Sequence, residues 1–251
     1  IHAPAFHFMT TLHIEPIGRS DRGSKMGTND KAKRYTSNHL RSSTRRSAFD
    51  SPERRSLLEA IASRSSDDVV ADAINRLEKL DPSGGKAASS TDLGGTWELI
   101  YSVNAEAFSP LLNLPQPVRP TSLQLLGKDA AKSVGEGRIA QVLNFPIFPL
   151  SLELSSGAVP VPSDPSTLEI FPPFRLEAVV ATNNRFQFVE SGSDAEFRGL
   201  NGRDDEAQAA GRNLYKQRYL ETSGKKGDLR ISEVIAGDPA IVGVIFVHRR
   251  I

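Results

Sequence analysis

From residue 94 onward, apolar residues fall at alternate positions in short runs divided by turn residues, the period of strands with one buried face. The run Gly94-Gly95-Thr96-Trp97-Glu98-Leu99-Ile100-Tyr101-Ser102 sets Trp97, Leu99 and Tyr101 on one side. Ser122 to Leu126, Arg138 to Phe145 and Leu150 to Leu154 follow. Phe174 to Val180 places Phe174, Leu176, Ala178 and Val180 on one face, opposite Arg175 and Glu177. Asn183-Asn184 marks a turn, Phe186 and Phe188 share the next face, and Phe197 is a candidate for a further strand. Leu214 to Leu220, Asp228 to Ile235 and Ile241 to His248 complete the series. Eight or more short strands at hairpin spacing, without a βαβ alternation, predict a mainly β (α+β) chain built on an antiparallel barrel or sandwich. If the sheet closes, the last two strands meet the first.

Before the strands the period changes. Ser51-Pro52-Glu53 reads as a helix start, with Ser as N-cap, Pro at the first helical position and an acid in the first turn. Leu57, Leu58 and Ile61 then share a face. Ser65 or Ser66 before Asp67-Asp68 starts a second helix whose stripe is Val69, Val70, Ala73, Ile74 and Leu77, ended by Asp81-Pro82. Each stripe is narrow, so the pair is expected to cover one end or side of the barrel. The Ser-, Gly- and Ala-rich stretch from Pro82 to Asp92 reads as a linker. The predicted organisation is an arm over 1–50 and a domain over 51–251, with helices in 51–81 and the barrel in 94–251.

Inside a barrel one side chain in two faces the lumen. Trp97, Leu99, Tyr101, Phe174, Leu176, Phe186, Phe188 and Phe246 are the inward candidates. Such side chains either fill a small barrel or line an apolar cavity. The Pro-rich loop Phe108 to Pro120 carries Leu111, Leu112 and Leu114, which either pack under the loop or form a greasy lip against a membrane or partner. The polar stretch Gly199 to Gly211 reads as an exposed loop.

Composition narrows the chemistry. The 251 residues carry a net charge of +1 and no cysteine, which excludes disulfides, thiolate metal sites and a cysteine nucleophile, and gives no reason to expect a nucleic-acid partner. No run approaches the roughly 18–20 apolar residues of a membrane-spanning helix. Only His248 of the five histidines lies among the strands, so no histidine cluster for a metal is present. There is no nucleophile elbow, phosphate loop or dinucleotide fingerprint. Ser223-Gly-Lys-Lys-Gly227 lacks the spacing of a phosphate loop and reads as a solvent hairpin. No carboxylate pair is placed for acid–base work, so a non-enzymatic role is expected. Asp228 and Arg230 share a strand face. Arg230 there either pairs with Asp228 or another acid, or takes a lipid head group or carboxylate.

The arm is a separate problem. From Phe6 to Phe49 the acids Glu15, Asp21 and Asp30 face Arg19, Arg22, Lys25, Lys31, Lys33, Arg34, Arg41, Arg45 and Arg46 among many Ser and Thr. This acid-poor, Arg- and Ser-rich composition fits a transit peptide, a solvated basic tail, or an arm that binds a partner through residues such as Arg34, Arg41, Arg45 and Arg46. Ala3-Pro4-Ala5-Phe6 resembles the cleavage site of precursors imported into complex plastids.

Three stretches together carry a family resemblance: the Gly-Gly-Thr-Trp strand, the lead-in Asn75 to Pro82, and Tyr219-Leu220-Glu221 followed by Asp228-Leu229-Arg230-Ile231-Ser232. They resemble the plastid lipid-associated protein (fibrillin) family over roughly residues 52–251. Two departures stand near the end. Thr222 to Lys226 is inserted before the last motif, and Glu233 follows Ser232 where the family has Arg-Gly. The resemblance implies a lipocalin-like barrel that binds a carotenoid, quinone or acyl lipid, peripherally, at the plastid thylakoid or plastoglobule. It adds Tyr219 and Arg230 to the ligand-binding candidates. The alternative is a structural subunit of a photosystem or light-harvesting complex, docked through the arm and the Pro-rich loop.

Overall fold

The alternating runs become nine strands in the computed structural model, which describes residues 51–103, 110–181, 184–190, 212–239 and 241–251. They are β1 (Gly95–Ser102), β2 (Thr121–Leu126), β3 (Arg138–Asn144), β4 (Leu150–Val161), β5 (Asp164–Val180), β6 (Asn184–Glu190), β7 (Asn213–Leu220), β8 (Leu229–Ala236) and β9 (Ile245–Arg250). Three helices accompany them, α1 (Pro52–Ala62), α2 (Asp67–Glu78) and α3 (Lys128–Val134). The arm, with Arg34, Arg41, Arg45 and Arg46, lies outside the described residues, as do Phe197 and the stretch Gly199 to Gly211.

All strand pairings are antiparallel. The order β4-β3-β2-β1-β9-β8-β7-β5 returns on itself through a β4–β5 pairing, which closes an eight-stranded, lipocalin-like barrel. β6 stands outside the ring. One edge of β5 pairs with β7 at Thr167–Ile170 and with β6 at Arg175–Val180. The changeover falls around Pro172-Pro173, which offer no amide hydrogen to a partner. β4 and β5 are longer than the sequence pattern indicates, because Ser155–Val161 and Asp164–Pro173 alternate poorly yet extend the hairpin.

Two bulges divide inner from outer face. In β1 the register against β9 shifts between Leu99 and Tyr101, so Leu99 opposes His248 and Tyr101 opposes Val247. In β7 the register against β8 shifts between Gln217 and Tyr219. An extra residue reverses every later side chain. Tyr101 and Tyr219, expected in the lumen by alternation or by resemblance, therefore point outward. Tyr101 Oη donates to Asp67 Oδ1 at 2.7 Å, at the start of α2, and Tyr219 Oη donates to Glu221 Oε1 at 3.0 Å.

The outer face so exposed is where α1 and α2 dock, on a side of the barrel. Leu57, Val70, Ala73, Ile74 and Leu77 form one buried cluster with Tyr219, Leu229, Ile231 and Val247. Ser51 caps α1 by accepting from Arg54 N at 3.1 Å. Ion pairs frame the cluster. Arg54 donates to Glu221 Oε1 at 2.8 Å and to Gly227 O at 2.7 Å. Arg218 holds Glu78 at 2.6 Å and Glu233 at 3.1 Å. Asp81 accepts from Leu220 N at 3.1 Å, so the end of the lead-in is tied to the strand just past its bulge.

The expected linker is a plug. Residues 87–89 and 91–93 form two 3-10 turns, and Ala87, Ala88 and Leu93 are buried with Trp97, Leu168, Ile170 and Leu220. Small side chains hid this burial from the sequence pattern. Trp97 Nε1 donates to Leu93 O at 2.9 Å. Arg250 lies over the Trp97 ring at 4.2 Å, donates to Gly94 O at 2.6 Å and also to Asp92 O. Gly95 makes room for this clasp, with φ +135° and a hypothetical Cβ only 2.2 Å from Arg250 Nη1. A Gly95→Ala variant is expected to lose about 1–3 kcal/mol of stability. Urea unfolding followed by fluorescence of Trp97, the single tryptophan of the chain, measures it. An unchanged midpoint would show that Arg250 can leave without cost.

Candidate functional site

The inner face of the barrel runs from an apolar wall to a buried polar cluster. Along the wall, register places Trp97, Gln124, Gln141, Leu154 and Leu176 in one row. Ser122, Leu143, Leu152 and Ala178 form the next. Across the barrel, Arg230 opposes His248, Ser232 opposes Phe246, and Val234 opposes Tyr215. Phe246 stacks near Tyr215 and tilts near His248, with centroids 6.3 and 6.2 Å apart. Phe174 is buried at the plugged end with Ile170, Leu168 and Trp97.

Burial differs between the two sides. Leu99, Gln124, Gln141, Leu154, Leu176 and Tyr215 are only half-buried although their side chains share the inner face. Trp97, Leu220, Arg230, Ser232 and His248 are buried. Solvent therefore reaches the inner wall on the β1–β5 side and stops short of Arg230.

Arg230 is 1 % exposed. Its Nη2 meets His248 Nδ1 at 3.0 Å and donates to Gln124 Oε1, and its guanidinium lies 5.3 Å from the Trp97 ring. Its Nε has no partner, and among the described residues no carboxylate forms an ion pair with it. Asp228, the partner expected for it, lies instead beside Arg250 Nε at 3.6 Å and accepts from Ser223 Oγ and Lys225 N. Burial, with the charge of Arg250 added, pushes the Arg230 guanidinium down to about 9, so it is still a cation at neutral pH. Burial first, and the Arg230 charge second, hold His248 well below its ordinary value, so its ring is neutral. A neutral ring that accepts from Arg230 at Nδ1 carries its proton on Nε2. Gln217 donates from Nε2 to Tyr215 O at 3.3 Å and leaves its buried Oε1 unpaired.

The other sequence candidates scatter. Leu99, Phe174, Leu176 and Phe246 lie with the inner-face rows and clusters. Phe186 and Phe188 are 57 % and 63 % exposed on β6, outside the ring, which corrects their assignment to the lumen. Phe186 opposes Ala178, so it continues the inner face past the barrel wall. Leu111, Leu112 and Leu114 surround a 3-10 turn at Pro110–Asn113 and are half-buried. The Ser223–Lys226 hairpin is exposed, as its composition predicts. Sequence reasoning missed Gln124, Gln141, Gln217 and Arg250. For Arg250 the signal was present, since Phe246, His248 and Arg250 stand two apart on one strand face.

Among the described residues no group of three or more His, Asp or Glu is placed to hold a metal ion. No described helix is long and apolar enough to cross a membrane. The geometry defines the class: a closed lipocalin-like barrel, plugged at one end, with a cationic cluster in its wall. No family model, curated protein or solved structure matches the chain.

The neutral His248 gives the fold a pH dependence of known sign. Above the ordinary histidine value of 6.5 the ring is neutral in both folded and unfolded chains, and contributes no slope. Below it the unfolded chain binds the proton first, so stability falls with pH by up to about 1.4 kcal/mol per pH unit. Denaturant unfolding at stepped pH between about 7 and 5.5 should show this loss, and His248→Asn should remove it. Equal slopes in both proteins would mean that His248 is not held neutral.

Proposed function

We propose that the barrel holds one lipophilic molecule against its inner wall and that the protein is a non-enzymatic carrier. The observation that carries this reading is the incompletely buried apolar wall: Leu99, Leu154 and Leu176 face inward yet keep accessible surface. In a filled core such residues would be fully buried. Apolar burial supplies affinity, and a few polar groups on the wall orient the ligand. The resemblance to the plastid lipid-associated family adds the ligand classes, a carotenoid, quinone or acyl lipid, and a peripheral place at the thylakoid or plastoglobule. A second reading, a structural subunit of a membrane complex, draws support from Ile147 and Phe148 at the β3–β4 turn, which are 52 % and 58 % exposed.

Titration with a neutral apolar fluorophore such as N-phenyl-1-naphthylamine tests the carrier reading. One saturable site is expected. Leu176→Asp puts an unpaired carboxylate on the wall and should weaken binding about tenfold or more, a loss of at least ~1.4 kcal/mol. Glu177→Gln, on the outer face of the same strand, should leave binding unchanged. A folded Leu176→Asp variant that binds like the parent protein sinks the lumen assignment.

A further inference from the structure

We infer that the lumen selects apolar chains that end in a carboxylate, and that Arg230 is the residue that receives it. The inference rests on the carrier reading and narrows it from lipophilic molecules at large to free acids.

The argument begins with charge. The polar cluster contains two guanidiniums, Arg230 and Arg250, and one carboxylate, Asp228, which lies beside Arg250. The remaining polar groups of the inner face around them, Gln124, Gln141, Gln217, Ser122 and Ser232, carry no charge, and His248 is neutral. The cluster thus keeps one unmatched positive charge, and it sits on Arg230. An isolated buried ion is costly unless an opposite charge and hydrogen bonds meet it. Arg250, by comparison, has its charge matched: it stacks on Trp97, donates to two backbone carbonyls and faces Asp228 at 3.6 Å, although its Nε, like that of Arg230, makes no hydrogen bond.

Geometry points the same way. Arg230 spends Nη2 on His248 and Gln124 and leaves Nε unpaired. A guanidinium is a planar fork of five donors that matches a carboxylate, and such charge-assisted bonds are about twice as strong as neutral ones. Gln124, which Arg230 touches, is half-buried and stands in the same row as Leu154 and Leu176. The cation is therefore one side chain away from the accessible apolar wall. A chain lying along Leu176 and Leu154 brings its terminal carboxylate to Arg230. A hydrocarbon or an ester in the same place leaves the charge unmet.

The experiment uses the full chain and displaces N-phenyl-1-naphthylamine with palmitate, methyl palmitate and hexadecanol at low salt. Palmitate should bind at least tenfold more tightly than its methyl ester, and Arg230→Gln should erase that preference. Equal binding of acid and ester by the parent protein overturns the inference and leaves the carrier reading standing. Failure of the fluorophore and all three chains to bind removes the carrier reading, and the inference with it. Persistence of the acid preference in a folded Arg230→Gln variant overturns the assignment to Arg230. A second measurement needs no variant. Palmitate labelled with carbon-13 at its carboxyl is bound and its resonance followed from about pH 8 to pH 6. A carboxyl buried without a cation takes up its proton early, whereas one facing Arg230 stays ionised across this range. Protonation within the range overturns the inference.

Discussion

The clasp of Arg250 on Trp97 is the contact on which the rest of the molecule hangs. Three parts of the chain meet there: the plug at residues 87–93, the first strand and the last. The guanidinium covers the indole and ties down the carbonyls of Asp92 and Gly94, while the indole N–H ties down that of Leu93. Charge-assisted bonds of this kind each contribute about 1.5–3 kcal/mol, and a desolvated cation–π contact about 2 kcal/mol. Without them the plug has only two alanines and a leucine to hold it in the barrel end. The clasp also fixes the register of β1 on β9, and through it which side chains face inward.

The same indole belongs to the candidate site, because Trp97 lies near Arg230 as well as Arg250. Structure and recognition are therefore coupled at one ring. The two bulges separate them again. They turn Tyr101 and Tyr219 out to the helices, so that both phenols find carboxylate acceptors on the outer side. The inner side keeps Leu99, Phe246, His248 and Arg230. A regular β1 and β7 would place two large phenols inside and leave α1 and α2 without their seat.

Alternation made the barrel legible, and capping chemistry made α1 and α2 legible. Inner positions were readable wherever a strand was regular, as at Trp97, Leu99, Phe174 and Leu176. They were misread past each bulge, because local sequence carries no mark of an inserted residue. Phe186 and Phe188 have the right period, but period does not tell whether a strand belongs to the ring. The plug was invisible because alanine gives little hydrophobic signal. Arg230 was singled out through its motif, yet its isolation was not readable. That depends on Asp228 turning to Arg250, a choice made by the closing strand.

Closure also has a cost in chain entropy. Trp97 and Arg250, directly opposite each other on β1 and β9, are about 150 residues apart in sequence. A loop of that length costs about 3 kcal/mol more to close than a five-residue hairpin. The β2–β3–β4–β5 meander, joined by nearer neighbours, carries no such penalty. The ring therefore has one ladder formed against the statistics of the free chain, and the clasp sits on that ladder, where its bonds offset the ordering of the longest loop in the barrel.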